Sequence, residues 1–205
     1  MRIGTCLIAS VFACSGAYSQ SLSVEELQAQ IDARVEALNP YQELLADPDP
    51  DRSMAAMDIM ITSGDPILVD MAIEFGLLSS NPDVREMALN GFLATGPTLT
   101  IAFDGSVTDD SAFRRVLLGS WQGAEGENSV VYATWKIGPF NEALSCYEFD
   151  GYSGQCYMRI SPGGVSLSGS NLSGQLSNDG SGQLNGTVSI NAVPEPIPTT
   201  INLLQ

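Results

Sequence analysis

Apolar positions along this chain follow two periods. Between residues 24 and 96 they recur three and four apart, and beyond Pro97 they alternate with polar ones. The first helix is announced by Ser23-Val24-Glu25-Glu26, a capping-box pattern leading into LQAQIDARVEALN. Leu27, Ile31, Val35 and Leu38 form one stripe on it, suited to docking or to a spacer. Pro40 and the acidic stretch Asp47-Pro48-Asp49-Pro50-Asp51 are expected to interrupt that helix. Three units in a sixteen-residue register follow, marked by Pro50 and Ala56, Pro66 and Ala72, Pro82 and Ala88. Asp49, Asp65 and Asn81 supply side-chain oxygens that can cap first-turn amides, and each proline stands at the first helical position. Ser63-Gly64, Ser79-Ser80 and Thr95-Gly96 suit helix ends. Short joints predict antiparallel packing, with the three alanines at the close approaches.

After Pro97, TLTIAFDG, RRVLLGSW, SVVYATWKI, LSCYEF, QCYMRI, GVSLS, NLSGQLS and GQLNGTVSI each read as a short strand between Gly, Asn, Asp or Pro. Asn178-Asp179-Gly180 reads as a hairpin turn. The Gly-, Ser- and Asn-rich run from 163 to 189 has a linker's composition. Leu167, Leu172, Leu176, Leu184, Val188 and Ile190 nevertheless argue for ordered pairing. VPEPIPTTINLLQ reads as an extended proline-rich tail ending at most in one added strand. The expected fold is α+β, an N-terminal antiparallel helical lobe followed by an antiparallel β-sandwich or small barrel.

The run NPDVREMALNGFL resembles the helix of a HEAT-type repeat, through Asp83, Val84, Arg85, Ala88 and Leu93. The likeness covers residues 48 to 96, and the second unit departs from it with Leu68-Val69. The resemblance implies a protein-binding surface. Three helices are too few for a long concave groove, so a compact lobe covering another part of the chain is the leading expectation. A binding surface is then expected first at the seam between lobe and β domain.

The opening MRIGTCLIASVFACSGAYSQ has one basic residue, an apolar run from Ile3 to Ala13, and small residues after it. It predicts an export signal over residues 1–19, with cleavage before Gln20. The rival reading is a lipoprotein anchored through Cys14. The expected divisions are signal 1–19, amphipathic helix and linker 20–46, helical repeat 47–97, β domain 98–192 and tail 193–205. Export makes Cys146 and Cys156 the mature chain's pair, read as one structural disulfide around a turn-rich loop. The protein is therefore expected to be periplasmic or extracellular.

The net charge of −16 argues against nucleic acid or an anionic membrane surface as partner. No segment after the signal has the apolar length of a membrane helix. Another envelope protein or a glycan is the partner to expect. The chain has no histidine, which excludes Ser-His-Asp and Cys-His systems and His-based zinc sites. Neither a phosphate-binding nor a dinucleotide-binding glycine motif is present. Asp47, Asp49 and Asp51 alternate as calcium ligands do, but Arg52 occupies the position that needs glycine, so they read as caps. Lys136, the one lysine, reads as a strand-edge cation rather than half of a Ser–Lys dyad.

Neither cofactor, metal nor catalytic residue is assigned. Trp121, Trp135 and Tyr152 are the candidate ligand-contact aromatics, within a set that also holds Tyr132, Phe140, Tyr147, Phe149 and Tyr157. The leading expectation is a non-catalytic exported binding or assembly module. The alternative is a carbohydrate-binding or carboxylate-based glycosidase module, in which Glu125, Glu127, Glu142, Glu148 or Asp150 would work beside the aromatics.

Overall fold

A computed structural model describes residues 22–109, 111–161, 163–169 and 171–204. The expected signal, Cys14 and the cleavage site before Gln20 lie outside the described residues. The chain divides into two compact units, Met1–Pro40 and Tyr41–Gln205. In the first, helix α1 (Val24–Leu45) opens on a reciprocal capping box. Glu26 N donates to Ser23 Oγ, and Ser23 N donates to Glu26 Oε2. The expected break at Pro40 is absent, and α1 includes that proline. Leu27, Ile31 and Val35 are exposed.

The second unit starts with the repeat. Helices α2 (Pro50–Thr62), α3 (Pro66–Leu77) and α4 (Pro82–Ala94) each begin on their proline. Asp49, Asp65 and Asn81 accept from Asp51 N, Ile67 N and Asp83 N at 3.0, 2.9 and 2.9 Å. Each such cap contributes about 1 kcal/mol. Asp47 accepts from Arg52 Nε at 2.8 Å and from Asp49 N, and Asp49 caps α2, so two of the three alternating aspartates are taken up by turn bonds and an ion pair. Ala72 and Ala88 are fully buried, while Ala56 is half-buried. A Cβ added at Gly76 would collide with that of Ala88, so α3 and α4 touch at small residues.

The β domain is the barrel of the two expected alternatives. Eight antiparallel strands close it: β1 (Thr98–Asp104), β3 (Val130–Asn141), β4 (Cys146–Phe149), β5 (Tyr152–Ser161), β6 (Gly164–Gly169), β7 (Leu172–Asn178), β8 (Gln183–Ile190) and β9 (Ile197–Asn202). Each pairs with the next, and β9 pairs with β1 from Ile101↔Ile201 to Phe103↔Thr199, completing an up-and-down barrel. The two-residue β2 (Ala124–Glu125) adds to the edge of β3. Leu99, Ile101, Phe103, Val131, Ala133 and Trp135 alternate along β1 and β3 as buried positions. In the glycine-rich part, a Cβ at Gly174 or Gly186 would fall on the paired strand's backbone. Those glycines permit close strand approach and tight coiling.

One expectation changes, and the added strand allowed for the tail is formed. RRVLLGSW is helical, as α5 (Ser111–Arg114) followed by a π-helical turn over Arg115–Ser120. Val116 and Leu117 are buried side by side, and a short continuous apolar run carries no period to separate strand from helix. Residues 193–205 supply β9, the strand without which the barrel would have two open edges. Pro198 sits within it, opposite Thr187.

Antiparallel order gives the barrel two unlike ends. The repeat enters at the end that holds Thr98, Asn141, Ser161 and Asn178. Tyr147 Oη lies 2.7 Å from Asn90 Oδ1 and 2.9 Å from Asn90 O on α4, and Arg85 Nη1 donates to Ser79 O beside the β7–β8 turn. At the other end stands the excursion between β1 and β3. Gly105 N donates to Ser129 O across its base, and Ala112, Phe113, Val116 and Leu117 are buried.

Candidate functional site

The excursion ends by delivering Trp121. Its amide donates to Val116 O, the five-residue bond of a π turn, and Gly123 N then donates to Leu117 O at 2.8 Å. Trp121 faces β6 across a missing side chain, because a Cβ on Gly169 would stand 2.7 Å from its ring. β3 contributes Trp135, and the β4–β5 hairpin contributes Phe149, Tyr152 and Tyr157. The ring centroids of Trp121 and Trp135 are 4.7 Å apart, and Tyr157 meets Trp135 edge-on at 4.4 Å. Phe149 meets Tyr157 at 5.2 Å and Tyr152 at 5.5 Å, both edge-on. These five rings line one cavity of about 830 Å³, within the range of small-ligand sites.

All three candidate aromatics therefore stand on the same cavity, with unequal exposure. Trp135 is 1% exposed, Trp121 is half-buried, and Tyr152 is 60% exposed. Sequence reasoning passed over Tyr157 as a contact residue and missed Gln122, Thr134, Gln155 and Ser168, which supply polar groups to the lining. Polar residues of this kind carry no local signal. The remaining aromatics go elsewhere: Phe140 pairs with Tyr147 toward the repeat end, and Tyr132 is exposed.

Among the described residues, no Asp, Glu, Lys or Arg lines the cavity. Glu125 pairs with Arg114, Glu142 lies in the β3–β4 turn, and exposed Lys136 stands 3.8 Å from Asp150. Glu127 belongs to the turn before β3. The carboxylates that could have flanked the aromatics are thus not brought together there. Among the described residues, no cluster of three or more acidic, cysteine or histidine side chains is placed to hold a metal.

Three polar atoms of the aromatic wall are buried without a hydrogen-bond partner among the described residues: Trp121 Nε1, Trp135 Nε1 and Tyr157 Oη. Burial pushes the Tyr157 phenol well above its ordinary pKa, so it remains a neutral hydroxyl. An unpartnered buried donor costs about 1–3 kcal/mol, and three within one cluster stand out against the general rule of satisfaction.

The hairpin that brings Tyr152, Gln155 and Tyr157 is held twice. The Cys146–Cys156 disulfide joins β4 to β5, and Cys156 itself lines the cavity. Beside it, buried Glu148 accepts from Asn141 Nδ2 at 2.6 Å and from Gly154 N at 2.7 Å. These two bonds, the Asn141 one foremost, hold its carboxyl below the ordinary range. At the repeat end a smaller groove of about 500 Å³ lies on the expected seam, lined by Asp83, Glu86, Met87, Asn90, Phe140 and Ile160 among others. The larger and more aromatic space is at the opposite end of the barrel.

The fold and site define an eight-stranded up-and-down barrel with an aromatic, uncharged cavity at one end. No family model, no curated protein and no solved structure matches the chain.

Proposed function

We propose that this chain is an exported, non-catalytic binding protein that takes one small molecule into its aromatic cavity. An eight-stranded barrel encloses a space that side chains can just fill or that holds a single small ligand. The observation that carries the reading is the lining itself. Five aromatic rings and several neutral polar groups line about 830 Å³, with no charged side chain among the described residues there. In this reading the HEAT-like repeat is a cap on the far end of the barrel and not a recognition solenoid. Export is supported by the Cys146–Cys156 disulfide, and no described helix is long and apolar enough to cross a membrane. Paired-carboxylate catalysis forms no part of the proposal, because no acid among the described residues stands on the cavity. Carbohydrate binding is the second reading, favoured by Gln122, Gln155 and the hydroxyls of Ser120, Thr134 and Ser168 beside the rings.

Both tryptophans of the chain line the cavity, so intrinsic fluorescence reports on it directly. Titrating a chemically diverse panel of neutral small molecules into the purified protein should find compounds that shift Trp emission and raise the melting temperature together. A panel that moves neither, in the wild type and in a Tyr152→Ala variant with a more open mouth, would overturn the reading.

A further inference from the structure

Resting on that reading, we infer that the cavity's ligand is an uncharged, planar molecule carrying carbonyl-type hydrogen-bond acceptors and few donors. Three observations on different atoms converge on this class. The open wall is flat: Trp121, Phe149 and Tyr152 offer ring surface on which a planar body packs, with buried Trp135 and Tyr157 directly behind them. The unsatisfied groups are donors. Each indole N–H can only donate, and Tyr157 Oη, held neutral, also has a proton to give. Among the described residues the lining holds no charged side chain to neutralise an ionic head, and the chain's net charge of −16 repels anions.

Rival classes fit less well. A fatty acid would place a carboxylate among groups that carry no positive charge. A sugar would bring many hydroxyl donors to a lining without a carboxylate acceptor. A flat hydrocarbon would leave all three donors as they are. An acceptor-rich planar guest converts each unmade bond into a made one, and the gain is large because the alternative is a buried orphan.

No solvent reaches these three atoms in the arrangement described. A guest therefore makes its bonds by parting the rings. The Trp121–Trp135 pair is the place for this, since those rings are tilted by 38° and Trp121 is only half-buried.

The test uses the mature full chain and four probes: flavone (flat, neutral, one carbonyl), 2-phenylnaphthalene (an aromatic hydrocarbon of like size, no acceptor), maltose and laurate. Binding is read by Trp fluorescence and by calorimetry. Flavone should bind, and 2-phenylnaphthalene should bind about tenfold more weakly, the value of a hydrogen bond near 1.4 kcal/mol. Tyr157→Phe and Trp121→Phe keep a ring and delete a donor. At least one of them should weaken flavone by about 2- to 10-fold more than it weakens 2-phenylnaphthalene. Tyr157→Phe removes a single buried oxygen, so it keeps the test available if Trp121→Phe folds poorly. Equal binding of the two planar probes, or a preference for maltose or laurate, overturns the ligand class and leaves the binding cavity standing. Silence of all four probes in both readouts, repeated with an acceptor-bearing planar panel, overturns the class and counts against the cavity reading as well.

Discussion

The same chemical change, tyrosine to phenylalanine, should have opposite signs at two positions ten residues apart. Tyr147 and Tyr157 are both buried in the barrel. Tyr147 Oη lies 2.7 Å from Asn90 Oδ1 and 2.9 Å from the Asn90 carbonyl oxygen, tying β4 to the repeat. Its removal loses a made bond, worth about 1 kcal/mol net. Tyr157 Oη has no partner, and burial holds its phenol far on the neutral side. Replacing it with phenylalanine deletes a desolvated hydroxyl and keeps the ring contacts with Trp135 and Phe149, so the variant should gain about 1–2 kcal/mol. Urea unfolding followed by far-UV circular dichroism measures both, with the midpoint falling for Tyr147→Phe and rising for Tyr157→Phe at unchanged slope. The pH dependence follows the same logic. A phenol whose folded pKa exceeds the ordinary 10.0 contributes stability that is fully present below pH 10 and is lost as the pH rises further, because the unfolded chain ionises first. Tyr157→Phe should flatten that alkaline loss. If Tyr157→Phe instead destabilises the protein as Tyr147→Phe does, the hydroxyl has a partner and the orphan-donor argument fails.

Three further outcomes are expected. Gly169→Ala places a methyl 2.7 Å from the Trp121 ring, and overpacking at this half-buried edge should cost about 1 kcal/mol while shifting Trp emission; unchanged emission would place Trp121 away from β6. Replacing both Cys146 and Cys156 with serine opens a loop of sequence separation 10 and should cost about 2–3 kcal/mol by chain entropy, with weaker ligand binding because Cys156 lies in the cavity wall; an unchanged urea midpoint would refute it. The lowered Glu148 pKa contributes stability that is present above the ordinary value of 4.5 and is lost as the pH falls through the folded value. Glu148→Gln should remove that acid-side dependence and speed amide exchange at Gly154, and a wild-type acid profile in the variant would rule the clamp out.

What could be read from the sequence was what is decided locally. Asp49, Asp65 and Asn81 cap helices because a short oxygen-bearing side chain before proline has few other uses, and Ser23 with Glu26 closes its box for a similar reason. Cys146 and Cys156 pair across the hairpin read around them. The break expected at Pro40 and the strand expected at RRVLLGSW failed where one local rule was asked to stand alone. Barrel closure was out of reach for a different reason. It depends on β9 meeting β1 across almost the whole β domain, and no local pattern in TTINL specifies that partner. The cavity lies between these cases. Its aromatic residues were visible as a concentration between residues 121 and 157, but their convergence on one space follows from β3, β5 and the π turn meeting at one end.

That convergence explains how an acidic protein can hold an uncharged cavity. Helix caps, ion pairs and the Glu148 clamp use several of the carboxylates, and the larger share of the acids falls before Pro97, in the helical part of the chain. The barrel end opposite the repeat is built from the β1–β3 excursion and the β4–β5 hairpin, whose contributions to the cavity are aromatic, amide and hydroxyl. An uncharged wall within a strongly acidic chain favours neutral guests twice over: anions are repelled at long range, and cations find no counter-charge on the lining. The three unpartnered donors then set a second condition, since they add affinity only for a guest that brings acceptors to them. On the proposed reading selectivity rests on hydrogen-bond direction, and the comparison of flavone with 2-phenylnaphthalene in the wild type and in Tyr157→Phe tests it.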